Sequence, residues 1–294
     1  MRTSPRTTVV GTALRLACAA LTLGLMPDAV HGRDPAHARW RVRVVPGSPP
    51  GPYTLADWKR DWPGCTFEDG VSEARVSIVR AANLDWWRVT YAAGGIGPDR
   101  GGSGWRWQFV RRPHRACELS YELLFDEGFE FVKGGKLPGL CGGPETITGG
   151  KTCTGHDGWS ARLMWRKDGR GQAYVYHAAK QKDYGDEFDF PDDVHFPIGV
   201  PLTVRIAVGM NEPGRCDGTL RVWMTDAANH SQLVVDRSDL QYTNTDTIGV
   251  DSVLFNTFHG GHDASWAPRH ACSACFTEFR VTGEGDATAD VRTR

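Results

Sequence analysis

The sequence predicts an all-β fold in which two antiparallel sheets form a β-sandwich or jelly roll. Short runs that alternate apolar and polar residues recur along the chain, with turns rich in Gly and Pro between them. In one run, Val204, Ile206 and Val208 share a face, as in a strand that covers a core on one side. No segment favours a long helix, and we expect some ten to twelve short strands. The clearest runs are 86–91, 105–110, 117–125, 202–208, 220–225, 249–255 and 276–281.

The first residues have the pattern of an export signal. Arg2 and Arg6 precede an apolar stretch at 9–26, and small residues suited to signal cleavage follow it. The stretch is too short and too interrupted for a membrane span, which needs about 20 apolar residues. We therefore expect residues 1–32 to be a signal peptide and the mature protein to be secreted, with no membrane contact.

The rest of the chain, about 260 residues, fits one large all-β domain. Residues 33–52 end in a run of Pro and Gly that cannot continue a helix or an inner strand, so we interpret them as a lead-in. The predicted domain covers residues 53–284, and residues 285–294 form a polar tail.

The charge balance limits the partners of the protein. The whole chain has a formal net charge of −1, and removal of residues 1–32, with three arginines and one aspartate, changes it to −3. Because the chain has no basic excess, we expect no nucleic acid, and an anionic polymer would have to bind a local positive patch. We expect a monomer.

Seven cysteines lie beyond residue 32, and in an exported protein cysteines ordinarily form disulfides. Cys141 and Cys153 flank a Gly-rich loop and are the preferred pair. Cys272 and Cys275, with His270 nearby, are an alternative zinc site, although no second pair stands at zinc-ligand spacing. The sequence therefore favours disulfides over a metal site.

A predicted β-hairpin is the most informative segment. Two alternating runs flank a loop with an Asp-Gly step, which is typical of a hairpin. If the loop centres near Gly169, Arg162 lies opposite Tyr176, and Met164 lies opposite Tyr174. A shift by one residue would send the tyrosines to the other face from the arginine. The residues expected on one face are Ser160, Arg162, Tyr174 and Tyr176.

Such a face has two interpretations. The simpler one is a sandwich surface with aromatic pairs between strands. The functional one is β-elimination on a uronic acid, in which cations stabilise the charge that grows beside the C6 carboxylate. A base must remove the C5 proton and an acid must protonate the departing O4, and tyrosine can act as either when cations lower its pKa. The sequence alone leaves both interpretations open.

A lysine-containing segment upstream makes a resemblance specific. Lys133-Gly-Gly-Lys-Leu-Pro-Gly139 resembles the signature strand of the alginate and glucuronate lyases of polysaccharide lyase family 14, to which the glucuronan lyases are related. The hairpin continues the resemblance, as does Phe255-Asn-Thr-Phe-His-Gly-Gly261 followed by Trp266. These motifs span roughly residues 53–282. The resemblance implies a jelly roll with a concave substrate cleft and β-elimination on an anionic polysaccharide. We expect no metal or organic cofactor, because side chains alone provide the cation, the acid and the base.

The resemblance also implies a role for each cleft residue. Lys136, or else Lys133, and Arg162 would neutralise the carboxylate. The tyrosines at 174 and 176 would transfer protons. At one position the chain departs from the expected pattern, since His259 replaces an aromatic residue. The implied catalytic residues are Lys136, Arg162, Tyr174 and Tyr176, and the implied substrate-binding residues are Ser160, Lys133, Arg166, Asn256 and His259.

Two other functions remain open. Glu187 and Asp189 would share a strand face and resemble the paired carboxylates of laminarinase-type jelly-roll hydrolases, although Pro191 interrupts the pattern and its last position is Asp192. Alternatively, the eleven tryptophans could serve a carbohydrate-binding module without catalysis. Most of these rings are expected in the core, because aromatic side chains dominate packing in β-sandwiches.

Overall fold

Two antiparallel sheets, of nine and seven strands, make up the protein in a computed structural model that describes residues 39–284. The larger sheet has the order β14-β13-β12-β7-β16-β5-β4-β2, with β1 paired to β16, and the smaller has the order β11-β10-β9-β8-β15-β6-β3. The elements are β1 Arg39–Val44, β2 Gly51–Pro52, α1 Leu55–Asp61, β3 Cys65–Asp69, β4 Val76–Ala81, β5 Leu84–Tyr91, β6 Gly102–Gln108, β7 Ala116–Phe125, β8 Gly134–Gly142, β9 Trp159–Arg166, β10 Gly171–Tyr176, β11 Asp186–Asp189, β12 Leu202–Gly209, β13 Gly218–Thr225, β14 Ser231–Leu240, β15 Ser252–His259 and β16 Cys272–Glu284.

The core lies between the two sheets and is largely aromatic. The ring of Trp105 on β6 stacks on that of Phe255 on β15, with centroids 3.9 Å apart. Trp62, at the C-terminal end of α1, is fully buried and contacts both of these rings as well as Phe279 from the larger sheet. Apolar side chains facing inward from both sheets thus fix one face of the smaller sheet and leave its other face for the site.

The predicted all-β fold is confirmed, and the seven clearest runs all lie within or overlap strands. The described residues form sixteen strands, more than the ten to twelve expected, because several are short edge strands such as β2 and β11.

The strands begin before the expected domain start at residue 53. Residues 39–44 were interpreted as lead-in, but they pair with β16 from Arg39–Glu284 to Val44–Phe279. Trp40, Val42 and Val44 are buried on the inner face of this strand, which explains the pairing. The predicted signal peptide 1–32, the lead-in residues 33–38 and the tail 285–294 lie outside the described residues.

The expected disulfide between Cys141 and Cys153 is not present. All seven cysteines of the described part of the chain are free thiols. Cys141 lies within β8 between Ser160 and Ser252, whereas the thiol of Cys153 is turned toward the carbonyl of Gly158, 3.0 Å away. Residues 39–284 also contain no group of His, Cys, Asp or Glu side chains arranged for a metal ion. Nor does any helix in that range have the length and apolar character to cross a membrane.

Candidate active site

The face of the smaller sheet that points away from the larger one carries the candidate site, and we call it the site face. Along β9, the ring of Trp165 packs against Tyr91 and Phe125 of the larger sheet, so the even-numbered side chains project from the opposite face. The strands on either side of β9 pair with it in register, which brings polar side chains from three strands together. The site-face residues of this region are Lys136 on β8, Ser160, Arg162, Met164 and Arg166 on β9, and Tyr174 and Tyr176 on β10.

The hairpin register differs by two residues from the prediction. Arg162 lies opposite Tyr174, and Ser160 lies opposite Tyr176. The turn centres on Asp168, which adopts a positive φ of 60°, rather than on the glycine that follows it. Because a shift of two residues preserves the face of every side chain, the arginine and both tyrosines still share the site face.

Lys136 joins this group from the neighbouring strand. It lies opposite Met164, and its Nζ donates to the Sδ of that residue at 2.8 Å. The same nitrogen lies 3.6 Å from the centre of the Tyr174 ring. Burial holds the pKa of Lys136 well below its ordinary range, and the charges of Arg162 and Arg166 lower it further. The lysine therefore lies in the site with an amine that is easily deprotonated.

Arg162 is fully buried at the base of the site. Its Nη1 donates to Oδ1 of Asn256 at 3.1 Å, and its Nη2 donates to Oγ1 of Thr148 at 2.5 Å. Its Nε has no hydrogen-bond partner within the described part of the chain. Among residues 39–284 no carboxylate forms an ion pair with either Arg162 or Lys136. A buried guanidinium without a counter-ion is suited to an incoming carboxylate.

The two tyrosines form a linked pair. Their hydroxyl oxygens are 3.4 Å apart, and their rings meet edge to face. The N–H of Gly150 donates to Oη of Tyr176 at 2.9 Å. Burial raises the pKa of Tyr174, and the hydrogen bond with Tyr176 adds to this effect. The pair thus has one phenol that stays protonated and one whose oxygen faces a backbone donor.

Ser160 lies on the site face but is fully buried, so it does not contact a substrate in this conformation. Its hydroxyl donates to the carbonyl of Ile147 at 2.7 Å. This bond holds the segment that carries Thr148 and Gly150 against the sheet. The expected substrate-binding role of Ser160 is therefore replaced by the positioning of this loop.

His259 also differs from its expected role. It points into the inter-sheet core, where its ring packs against Tyr91, Phe129 and Trp165. Its Nε2 donates to the carbonyl of Glu130 at 2.7 Å. It is fully buried there, so it fills the position of an aromatic core residue rather than contacting substrate. The reason is strand parity, since odd-numbered residues of β15 face inward.

The other predicted substrate contacts lie at or near a cavity of about 310 Å³ over the site face. Arg166 lines it directly, whereas Asn256 contributes through its bond to Arg162. Lys133 is exposed and donates to Oγ of Ser265 at 2.6 Å, so it lies beside the cavity rather than in the catalytic group.

Sequence reasoning missed three parts of the site. Thr148 and Gly150 belong to an irregular loop, and Trp266 follows a Gly-rich turn, so no strand period indicated their positions. The sequence indicates Trp266 only as part of a motif. The cavity is lined by Lys136, Thr148, Gly149, Met164, Arg166, Tyr174, Tyr176, Tyr184, Glu187, Phe258, Gly260, Gly261, His262 and Trp266.

The arrangement does not supply the paired carboxylates of a hydrolase. Glu187 lies opposite Tyr174 and lines the cavity, but it forms an ion pair with Lys182 at 2.7 Å. Asp189 is exposed, and Glu187 is the one carboxylate among the described lining residues. Two cations and two phenols instead surround the centre of the site.

Comparisons with known proteins identify the family and the fold. The family described as Polysaccharide lyase 14 matches residues 81–279. The crystal structure of the marine PL-14 alginate lyase from Aplysia kurodai is 24% identical and has a TM-score of 0.72, covering 82% of this chain and 97% of that chain. An alginate lyase from a Chlorella virus is 20% identical and has a TM-score of 0.62, with 77% of this chain and 95% of that chain covered.

A more distant structure is the endo-β-1,4-glucuronan lyase from the fungus Trichoderma reesei. It is 12% identical, with a TM-score of 0.51, and the alignment covers 86% of this chain and 99% of that chain. These likenesses concern the fold. A comparison with curated proteins finds no match. The family match covers more than half of the sequence and includes every candidate catalytic residue, so this chain belongs to polysaccharide lyase family 14 and is a polysaccharide lyase.

Proposed function

We propose that this protein is a secreted lyase that cleaves a uronic-acid polymer, such as alginate or glucuronan, by β-elimination. The observation that carries the proposal is the pair of basic side chains, Lys136 and Arg162, that have no carboxylate partner among the described residues and lie beside two linked phenols. A substrate carboxylate in the cavity would supply the missing counter-ion to Lys136, and the charge of Arg162, which lies beneath the cavity, would act on it at longer range.

The chemistry follows from this placement. A base removes the C5 proton, the C4–O4 bond breaks as the C4=C5 double bond forms, and an acid protonates O4. Negative charge grows beside the C6 carboxylate during proton removal, where Lys136 and Arg162 stabilise it. Because an arriving carboxylate favours the charged form of the lysine, substrate binding itself restores the ammonium.

The tyrosine environments support different roles for the two phenols. Burial raises the pKa of Tyr174, which suits it to donate a proton to O4. The N–H of Gly150 faces Oη of Tyr176 and would stabilise negative charge on that oxygen, which suits Tyr176 to accept the C5 proton.

The test is an assay of the purified enzyme with alginate blocks, glucuronan and a neutral β-glucan, following the ultraviolet absorbance of the unsaturated uronate. We expect absorbance with at least one polyuronate and none with the β-glucan. Replacement of either phenol, Tyr174→Phe or Tyr176→Phe, should lower kcat by about 10²–10⁴-fold. A substrate with an aryl leaving group at O4, which needs no proton, should restore the first variant and not the second.

Glu187→Gln provides the control for the hydrolase alternative. It should retain most of the lyase activity, since the carboxylate is held by Lys182 and has no role in the elimination. New reducing ends without a double bond, lost on this substitution, would show that the protein is a hydrolase and that the proposal is wrong.

The secreted location rests on the pattern of residues 1–32, with its early arginines and apolar stretch. N-terminal sequencing of protein recovered from the culture medium tests it. A sequence that still starts at Met1 would contradict it.

A further inference from the structure

Trp266 lies at one end of the cavity, in a short 3₁₀ turn of residues Ala264–Trp266. Its indole rests directly on Gly261, where a Cβ atom would lie only 2.1 Å from the ring. Asp263 caps the turn by accepting a hydrogen bond from the N–H of Ser265 at 2.8 Å. The ring is only partly buried, so the turn and the glycine together hold an accessible aromatic face at the cavity.

Two cations lie over this ring. Nζ of Lys133 and the guanidinium carbon of Arg166 each lie 5.7 Å from the ring centre. Within the described range, neither forms an ion pair with a carboxylate. A contact of this kind between a cation and an aromatic ring contributes only about 0.5–1 kcal/mol at an exposed site. Both charges therefore remain available to an anion that reaches the ring.

The position of the ring relative to the catalytic group is also informative. Arg166 is two residues along β9 from Met164, the residue opposite Lys136. At about 3.3 Å per residue, this places it roughly 7 Å from the catalytic lysine along the strand. Both side chains line the same cavity, and they extend into it from positions one step apart on the site face.

We propose that Trp266, Lys133 and Arg166 form a binding subsite for a uronate unit adjacent to the cleaved linkage. The pyranose ring packs its C–H face on the indole, and its carboxylate pairs with one or both cations. The inference rests on the proposed function, because it takes the substrate to be a polyuronate. It adds a contact that holds the polymer without taking part in the elimination.

The test measures KM and kcat of Trp266→Ala with the polyuronate that the wild type cleaves. We expect KM to rise by roughly tenfold, equivalent to about 1.4 kcal/mol, with little change in kcat. Trp266→Phe should restore much of the affinity, since it keeps an aromatic face. Lys133→Ala and Arg166→Ala should raise KM as well, and should weaken the dependence of KM on salt.

Trp223 provides a matched control. It is a partly buried tryptophan on β13 of the larger sheet, and the guanidinium of Arg205 stacks on it at 3.7 Å. Trp223→Ala removes a similar ring–cation contact far from the cavity and should leave KM unchanged. Equal KM values for Trp266→Ala and the wild type would overturn the subsite while leaving the proposed function intact. A wild type that neither binds nor cleaves any polyuronate would overturn the proposed function, and the subsite with it.

Discussion

The amine of Lys136 donates to the thioether of Met164 and lies over the ring of Tyr174. Neither contact replaces the hydration that a charged amine has in water, because sulfur is a weak acceptor and the ring offers only its π face. The residue therefore destabilises the folded protein in its charged form.

Lys136→Met should accordingly raise the stability of the protein and lower its activity. We expect the free energy of unfolding at pH 7 to rise by about 1–3 kcal/mol, since an unpaired cation is replaced by an apolar chain of similar length. Activity should fall by about 10²–10³-fold, as for the loss of one charge-stabilising donor in comparable sites. Thermal melting and the lyase assay measure the two effects.

The stability difference should depend on pH. The pKa of Lys136 is lowered in the folded protein, whereas its value in the unfolded chain is about 10.4. At pH values between these two, the amine is protonated in the unfolded chain and neutral in the folded protein. The stability of the wild type should therefore rise through this interval and approach that of Lys136→Met. A gap that widens with rising pH would contradict the assigned pKa shift.

At the scale of elements, the segment between β8 and β9 closes the site at several points. Ser160 fixes Ile147, Arg162 donates to Thr148, and Tyr176 accepts from Gly150. These hydrogen bonds hold the loop against the site face, and they also fix the positions of Arg162 and Tyr176.

Thr148→Val tests this positioning role. The change keeps the shape of the side chain and removes the acceptor of Arg162 Nη2, so we expect kcat to fall by roughly tenfold or more. KM should change less, and the melting temperature should stay within a few degrees. Thr148→Ser, which keeps the hydroxyl, should restore kcat. If valine and serine give the same kcat, the hydrogen bond has no role in positioning the arginine.

At the scale of the whole molecule, the burial of two histidines makes the stability of the protein depend on pH. His259 lies between the sheets, and His177 joins β10 to Asp186 of β11 through a 2.9 Å contact. Burial lowers the pKa of both, against a smaller opposing effect of Asp186 on His177. Their neutral forms are therefore the ones that fit the folded protein.

Stability should fall as the pH drops below about 6.5, where the unfolded chain takes up protons that the folded protein resists. Each histidine contributes a slope of up to about 1.4 kcal/mol per pH unit. His259→Phe should reduce this slope in melting experiments and keep kcat and KM. A raised KM for His259→Phe would instead support the substrate contact that the buried position argues against.

The alternation of residues was sufficient to predict the fold class and the shared face of the catalytic group. Strand parity survives an error of two residues in register, which is why Arg162 and both tyrosines were placed together although the turn centre was wrong. Strand period also indicates β1, where Trp40 and Val42 alternate with arginines, but the nearby Pro- and Gly-rich run obscured that signal. The resemblance added Lys136, which no local pattern connects to the hairpin.

Tertiary structure decided which of the candidate residues reach the cavity. Ser160 and His259 belong to recognised motifs, yet one lies beneath a loop and the other inside the core. Whether a distant segment buries a side chain depends on contacts between residues far apart in sequence. The alternating pattern of a strand does not indicate such contacts. The same holds for Thr148, Gly150 and Trp266, whose backbone is irregular. The sequence by itself determined which side chains of the hairpin share the site face. Long-range packing decided the positions of the loops that complete the site, because these positions depend on the sheets against which the loops pack.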